Sequence, residues 1–245
     1  MDCRLAVMTY NIRYGLADDG TDSWPFRKDA LIQVIRNNAP DILGVQEALL
    51  FQINEIARAL PGYCWYGVGR EDGGAKGEHC PIFSRYPMSN TRTLWISDDP
   101  DAPGSLGPGA DLPRIITVAT VDCQGTRITL ANTHLDHQSE RAREIGAKML
   151  ADCQPDIAMG DFNCLRAHSP VQQLVATGFD CVNPAGQGQG TFNGFDPLGN
   201  GGEIDFIFHN HGFVATSAKI DRTLRPDGRT PSDHYPVVAE LCFTG

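Results

Sequence analysis

No two cysteines in this chain stand at the Cys-x-x-Cys spacing of a zinc knuckle or a thiol redox motif. The eight cysteines are scattered instead, which argues against a zinc cluster and for reduced thiols packed in a core, with one or two disulfides left open. No apolar run approaches the roughly 20 residues of a membrane-spanning helix. The opening Met1-Asp2-Cys3-Arg4-Leu5 lacks the basic and apolar regions of a signal peptide, so a cytoplasmic location is the expectation. Basic residues are few, 20 Lys and Arg against 30 Asp and Glu, for a formal charge of −10. That sign repels polyanions at long range, so long nucleic acid is disfavoured while a small or exposed phosphate is not. No basic run interleaved with aromatics marks a nucleic-acid track. No Ser/Gly linker, charge block or motif-level repeat divides the 245 residues, and a 41% hydrophobic content can fill a substantial core. One domain over residues 1–245, acting as a monomer, is expected.

What is present is a series of buried strands that end in polar residues. Residues 156–163 read Asp-Ile-Ala-Met-Gly-Asp-Phe-Asn, an apolar strand that stops at Gly160, where the backbone can turn out of a sheet. Asp161 and Asn163 are two apart, so in extended chain they leave one face and can converge on a ligand. An Asx-type turn, both side chains meeting nearby backbone N–H groups, would use the same residues. Residues 5–10 read as another strand, ending in Asn11-Ile12-Arg13, and residues 42–45 as a third, ending in Gln46-Glu47. The run at 115–121 and the run at 127–132 are separated by Asp-Cys-Gln-Gly-Thr, a hairpin signature, and the second ends in Thr133-His134.

Amphipathic spacing predicts helices over 27–38, 48–60, 140–151 and 170–176. Further strands are expected at 63–69, 78–83, 203–208, 214–220 and 237–241. Polar, glycine-rich residues 70–77, the Pro/Gly/Asp stretch 94–114 and the Gly/Asn-rich 186–202 read as loops, the second of the kind that borders a site. Strand, helix, strand, helix implies a sheet covered by helices.

Asn11, Gln46-Glu47, Thr133-His134-Leu135, Gly160-Asp161-Phe162-Asn163, Ile204-Asp205-Phe206 and Ser232-Asp233-His234 occur in the order and approximate spacing of the endonuclease/exonuclease/phosphatase superfamily, which the chain resembles from Asn11 to His234. That superfamily includes exonuclease III, pancreatic-type deoxyribonucleases, neutral sphingomyelinases, inositol polyphosphate 5-phosphatases and deadenylases. The resemblance implies an α/β fold of four layers, an α/β/β/α sandwich with two mixed sheets packed face to face. It also implies hydrolysis of a phosphoester with Mg²⁺ or Mn²⁺. Glu47 is then the first choice of metal ligand, since Mg²⁺ takes hard oxygens, with Asp233 serving the metal shell and Asn11 holding Glu47 or a metal-bound water.

Asp205 and His234 would hold the reacting phosphate. A carboxylate bound to one imidazole nitrogen fixes the tautomer and lets the other nitrogen donate to a developing phosphorane oxygen. Asp161 would orient and deprotonate the attacking water, and Asn163 steady the phosphate. By the same resemblance His134, supported by Glu78, would assist the leaving oxygen, and Arg114 and Arg13 bind phosphate. Exonuclease III-like members carry a tyrosine in the Glu78 region. None occurs at residues 78–83, which moves the chain away from abasic-DNA repair. The bacterial pattern Trp24-Pro25-Phe26-Arg27 is present, but no motif selects the substrate. The leading reading is a phosphodiesterase or phosphatase; a nuclease is the alternative among enzymes, and a non-catalytic phospholigand-binding module the alternative of another class.

Overall fold

Along the first strand the side chains divide between two cores. Leu5 and Val7 join one buried cluster while Met8 and Tyr10 join another on the opposite face, so this strand lies inside the molecule with both faces covered. The structure, a computed structural model, describes residues 4–184 and 190–244. Its elements in chain order are β1 (Arg4–Asn11), a 3₁₀ turn (Gly20–Asp22), α1 (Trp24–Asn38), β2 (Ile42–Gln46), α2 (Leu50–Ala59), β3 (Cys64–Tyr66), β4 (Ile82–Ser84), β5 (Met88–Trp95), β6 (Ile115–Cys123), β7 (Thr126–His134), α3 (Glu140–Asp152), β8 (Ile157–Asp161), α4 (Ser169–Ala176), β9 (Asp180–Cys181), β10 (Asp205–His209), β11 (Phe213–Ile220) and β12 (Val237–Phe243).

Two mixed six-stranded sheets form, in the orders β11-β12-β1-β2-β4-β3 and β5-β6-β7-β8-β10-β9. Leu5, Val7 and Ile42 of the first sheet meet Leu130, Ile157, Met159 and Ile207 of the second in the central core. Leu31, Ile35, Ile53 and Ile56 of α1 and α2 cover the outer face of the first sheet. Leu150, Val171 and Leu174 of α3 and α4 cover the second, packed on Phe206 and Phe208. The result is the expected α/β/β/α layering. Gly44 permits the close approach of the sheets, since a Cβ there would lie 2.6 Å from Met159 Sδ. Gly160 permits the β7–β8 pairing, since its Cβ would lie 2.1 Å from the Thr133 carbonyl oxygen.

Several boundaries differ from the sequence expectation. Strand β5 was not anticipated, its first six residues being given no element and its last two, Leu94 and Trp95, being expected as loop: it reads Met-Ser-Asn-Thr-Arg-Thr-Leu-Trp and lies half exposed at a sheet edge, so no apolar alternation marks it. The excursion therefore begins after Trp95. The strand expected at 63–69 shrinks to Cys64–Tyr66, and residues 78–81 reach the site as extended loop, with Ala48 and His79 forming an isolated bridge. Helix α1 starts three residues early because Pro25 suits a helix's first turn. Of the loop expected over 186–202, positions 186–189 lie outside the described residues. The seven described cysteines are unpaired, with Cys80, Cys123 and Cys164 buried. No described helix is long and apolar enough to cross a membrane.

One buried cation fixes the loops at the sheet ends. Arg27, fully buried in α1, donates to the carbonyls of Asp22 (2.7 Å), Ile12 (2.7 Å), Pro231 (3.2 Å) and Arg13 (3.2 Å). It thereby ties the chain leaving β1 to the chain entering Ser232-Asp233-His234. Ser232 Oγ completes that join by donating to the Asn11 carbonyl at 2.8 Å.

Candidate active site

The period of two that builds the central core also builds the site. On β8, Ile157 and Met159 point between the sheets, so Asp161 does too; the same parity carries β7 from Leu130 through Asn132 to His134, and β1 from Val7 through Thr9 to Asn11. Register then aligns them. His134 pairs with Asp161 across β7–β8, and Asp161 with Asp205 across β8–β10, a single row of three polar side chains. A polar layer separates the row from the apolar core: Gln46 Nε2 donates to Thr9 Oγ1 at 3.0 Å and to Asn132 Oδ1 at 2.7 Å.

Asn11 links the two sheets. Its Nδ2 donates to Glu47 Oε1 and to Asp161 Oδ2, both at 2.9 Å, while its Oδ1 accepts from Arg13 N at 2.9 Å, which fixes the orientation of the amide. Glu47 Oε2 accepts from Tyr14 N at 2.8 Å. Glu47 itself has φ 61°, a left-handed conformation that costs a non-glycine residue about 1–2 kcal/mol and is tolerated where the surroundings enforce it. Asn163 is likewise left-handed at φ 48°, and its N–H donates to Asp161 Oδ1 at 2.8 Å. The Asx turn is therefore present and is compatible with a site, because Asp161 keeps Oδ2 facing the cleft.

Two imidazoles flank that oxygen. His234 Nδ1 meets Asp205 Oδ2 at 2.9 Å, leaving Nε2 3.8 Å from Asp161 Oδ2. Burial opposes charge on His234, but the carboxylates of Asp205, Asp161 and Asp233 outweigh it and hold the ring well above its usual range. His134 is the opposite case. Burial, joined by Arg114 and Arg70, holds it well below. Its Nε2 lies 2.9 Å from Asn163 Nδ2, which also donates to the Leu135 carbonyl at 3.1 Å. A carbonyl can only accept, so the amine side of Asn163 faces the ring, Nε2 accepts, and the neutral proton sits on Nδ1, 3.8 Å from Glu78 Oε2.

Burial and the Asp205 charge push Asp161 up to about 7. Burial also raises Glu78 against Arg70, and raises Asp233 against His234. Such crowding of carboxylates suits a hard divalent cation. Glu47, His134 and Asp161 present ligand atoms within 4.8 Å of one another, and Asp161, Asp205 and His234 form a second such group. Asp205 Oδ1 is buried without a hydrogen-bond partner among the described residues. The oxygen-rich donor set fits Mg²⁺ or Mn²⁺, with Glu47 and Asp233 facing the cleft and Asn11 orienting the carboxylates.

The cleft is about 620 Å³ and is lined by nine of the eleven residues singled out from sequence, Arg13, Glu47, Glu78, Arg114, His134, Asp161, Asn163, Asp233 and His234, while the other two, Asn11 and Asp205, stand directly behind. Arg114 is buried with Nη1 free of a hydrogen-bond partner among the described residues, its Nη2 meeting His137 Nδ1 at 2.9 Å. Arg13 grips Asp19 through Nε (3.1 Å) and Nη2 (3.0 Å) and reaches within 3.7 Å of Asp233. The sequence reading did not assign Tyr14, Ala17, Leu112, His137, Phe192 and Ile204 to the site, and these complete the walls. Phe192 stands edge-on to His234 with ring centroids 5.1 Å apart. Its only signal in sequence was an aromatic interrupting a Gly/Asn loop. Thr191 beside it accepts from the backbone of Ile204 and Asp205, fixing where β10 begins.

Solved structures share this arrangement of sheets. An endonuclease/exonuclease/phosphatase family protein from Bacteroides thetaiotaomicron is 32% identical, with a TM-score of 0.94 and 100% of both chains covered. A mannosyl-6-phosphatase from Bacteroides thetaiotaomicron VPI-5482 is 33% identical, with a TM-score of 0.90, covering 98% of this chain and 100% of that one. An endonuclease/exonuclease/phosphatase from Bacteroides vulgatus is 31% identical at a TM-score of 0.85, covering 97% and 98%. No curated protein matches. The sequence profile matching residues 8–234 encloses all of the candidate site, and the chain belongs to the Endonuclease/Exonuclease/phosphatase family, whose members are hydrolases of phosphoesters.

Proposed function

We propose that the chain is a divalent-metal-dependent hydrolase of small phosphoesters, with phosphorylated carbohydrates as the first substrate class to test. The observation that carries this reading is the placement of one Asp161 oxygen between the Nε2 atoms of two imidazoles, each backed by its own carboxylate. The mannosyl-6-phosphatase relative supports a sugar phosphate, and the acidic balance of the chain supports a small substrate over a long polyanion.

In this reading Arg114 and Arg13 draw the phosphate into the cleft, and Asn163 steadies it. Asp161 orients water and takes its proton, a role suited to a carboxyl lifted to about 7. His234, charged against Asp205, donates from Nε2 to the oxygen that gains charge as phosphorus becomes five-coordinate. His134, backed by Glu78, serves the departing oxygen. A bound Mg²⁺ or Mn²⁺, held by Glu47 and Asp233, would polarise the phosphoryl oxygens as a Lewis acid.

The test is hydrolysis with Mg²⁺ or Mn²⁺, read as phosphate release from hexose 6-phosphates and inositol phosphates, and as the freed alcohol or the shortened strand from a chromogenic diester, a lipid-headgroup diester and short single-stranded DNA and RNA. Turnover of small phosphoesters that excess chelator stops and Asp161→Asn abolishes is expected. Full turnover in chelator would remove the metal from the mechanism. Cleavage confined to the oligonucleotides would make the protein a nuclease, and phosphate binding without any turnover would make it a binding module.

A further inference from the structure

Glu78, the carboxylate behind His134, is shared. Its Oε2 accepts from Arg70 Nη1 at 2.7 Å and lies 3.8 Å from His134 Nδ1, a nitrogen that is buried and has no other partner among the described residues. Asp205 offers the contrast, since among the described residues its Oδ2 serves His234 alone, at 2.9 Å. Arg70 is 8% exposed and stands behind Glu78, outside the lining of the cleft. Its backbone has separate duties: Arg70 N donates to the Glu78 carbonyl at 3.0 Å, and its own carbonyl accepts from Trp95 Nε1 at 2.6 Å. The loop is therefore closed without the guanidinium. Arg27 satisfies itself on four carbonyls, whereas the one side-chain hydrogen bond of Arg70 among the described residues goes to the catalytic-site carboxylate.

We propose that Arg70 is a positioning residue that anchors the Glu78 carboxylate and through it aligns the Nδ1–H of His134, without touching substrate. A carboxylate on a flexible side chain that faces an imidazole across 3.8 Å has several rotamers open to it. A short charge-assisted bond to a rigid planar donor removes that freedom. The alignment matters only when the ring works on the departing oxygen, so the arginine acts on turnover and leaves substrate affinity alone. The kinetic part of this inference rests on the proposed hydrolase reading; the alignment itself does not.

The experiment therefore has two arms. In the first, imidazole ¹⁵N correlation spectra of wild type, Arg70→Met and Glu78→Gln, with His134→Ala for assignment, follow the His134 ring in the absence of any substrate. A displaced or broadened His134 Nδ1–H signal in Arg70→Met, matching Glu78→Gln, is expected, while Asn163 at Nε2 keeps the proton on Nδ1. An unmoved His134 signal overturns the proposal whatever the protein hydrolyses. In the second, kcat and KM for an alkyl phosphoester are compared across Arg70→Met, Glu78→Gln and the double variant. Expected is a loss in kcat of about 10-fold or more, the scale of removing an outer partner of a functional histidine. KM should hold within about two-fold, and the double variant should be no worse than the poorer single. A change confined to KM would place Arg70 on the substrate, and additive losses would give it a role independent of Glu78; either overturns the proposal. Thermal melts accompany each variant, and should Arg70→Met fail to fold, Arg70→Lys keeps a donor within reach and is expected to retain both the wild-type Nδ1–H signal and part of kcat.

Discussion

His134 and His234 point their Nε2 atoms at the same oxygen of Asp161, from 3.6 Å and 3.8 Å, one from β7 beside it and the other from the loop entering β12. Their protonation is set in opposite senses, His234 held charged by Asp205 and His134 held neutral by burial and two nearby arginines. Two similar residues at similar distances from one carboxylate thus offer different chemistry. Titratable groups whose environments drive them apart are the usual basis for dividing acid and base work.

The acid cluster should tie cation binding to pH. Asp161 is raised to about 7 and Asp233 is raised as well, so protons and a divalent cation compete for the same oxygens. Because both folded carboxyls lie above the ordinary range, ionising them costs stability as pH rises from that range, up to about 7 for Asp161, and a bound cation offsets that cost. Mg²⁺ at about 100 times its dissociation constant adds about 2.7 kcal/mol. We expect a rise in Tm with Mg²⁺ near pH 8 that fades as pH falls through about 7, and that Glu47→Gln largely removes. An equal Mg²⁺ effect at acid and alkaline pH would show that these carboxylates do not bind the ion.

Arg27 should govern stability and site geometry together. Arg27→Met removes a buried charge, which is favourable, but orphans up to four buried carbonyls at about 1–3 kcal/mol each. The second effect is larger, so a net loss of roughly 2–4 kcal/mol is expected in urea denaturation. Activity should fall at temperatures where the variant is still folded, because Ile12-Arg13 and Pro231 lose their common anchor. A variant as stable as wild type would show that the loops hold themselves.

At Glu47 the backbone and the side chain can be separated. Its φ of 61° is strained for any residue with a Cβ, so Glu47→Gly should be more stable than Glu47→Ala by about 1 kcal/mol, although both lose the carboxylate and its bonds to Asn11 and Tyr14. Both should be inactive. Denaturation of the two variants side by side checks this. Equal stabilities would mean that the loop relaxes out of the left-handed conformation once the carboxylate is gone.

The strands that carry the site were legible because burial on both faces leaves long apolar runs, and because a run that stops at Asn11, Glu47, His134 or Asp161 exposes its polar end in the sequence itself. The edge strand β5 was hidden for the converse reason: an exposed edge has no apolar face to announce. For Asp161 and Asn163 both extended chain and an Asx turn were open, and the protein takes the turn, Asn163 being left-handed and reaching His134 from it. Backbone sign cannot be read from residue spacing. Phe192, His137 and Arg70 lie in loops, where no periodicity says which side chain faces inward, so only folded coordinates bring them to the cleft or behind it.

The sharpest prediction concerns how the two imidazoles divide the reaction. His234 faces the oxygen that gains charge whatever the leaving group, so His234→Ala should cost roughly 10²-fold or more for every substrate, as the loss of one preorganised donor does. His134 serves the departing oxygen, and a nitrophenolate needs little help in leaving whereas an alkoxide needs a proton. His134→Ala should therefore damage turnover of an alkyl ester severely and of a nitrophenyl ester much less. The geometry sharpens this: in the free protein His134 Nε2 accepts from Asn163 and carries no proton, so it donates only after that contact yields to substrate and the proton that Asp161 takes from water passes to it across 3.6 Å, and Asn163→Ala should weaken phosphate binding without reproducing the leaving-group dependence. The measurement is the ratio of kcat/KM for alkyl and nitrophenyl esters in each variant. A ratio unchanged in His134→Ala would take the leaving-group role from His134 and leave it a support for Asn163 and Asp161.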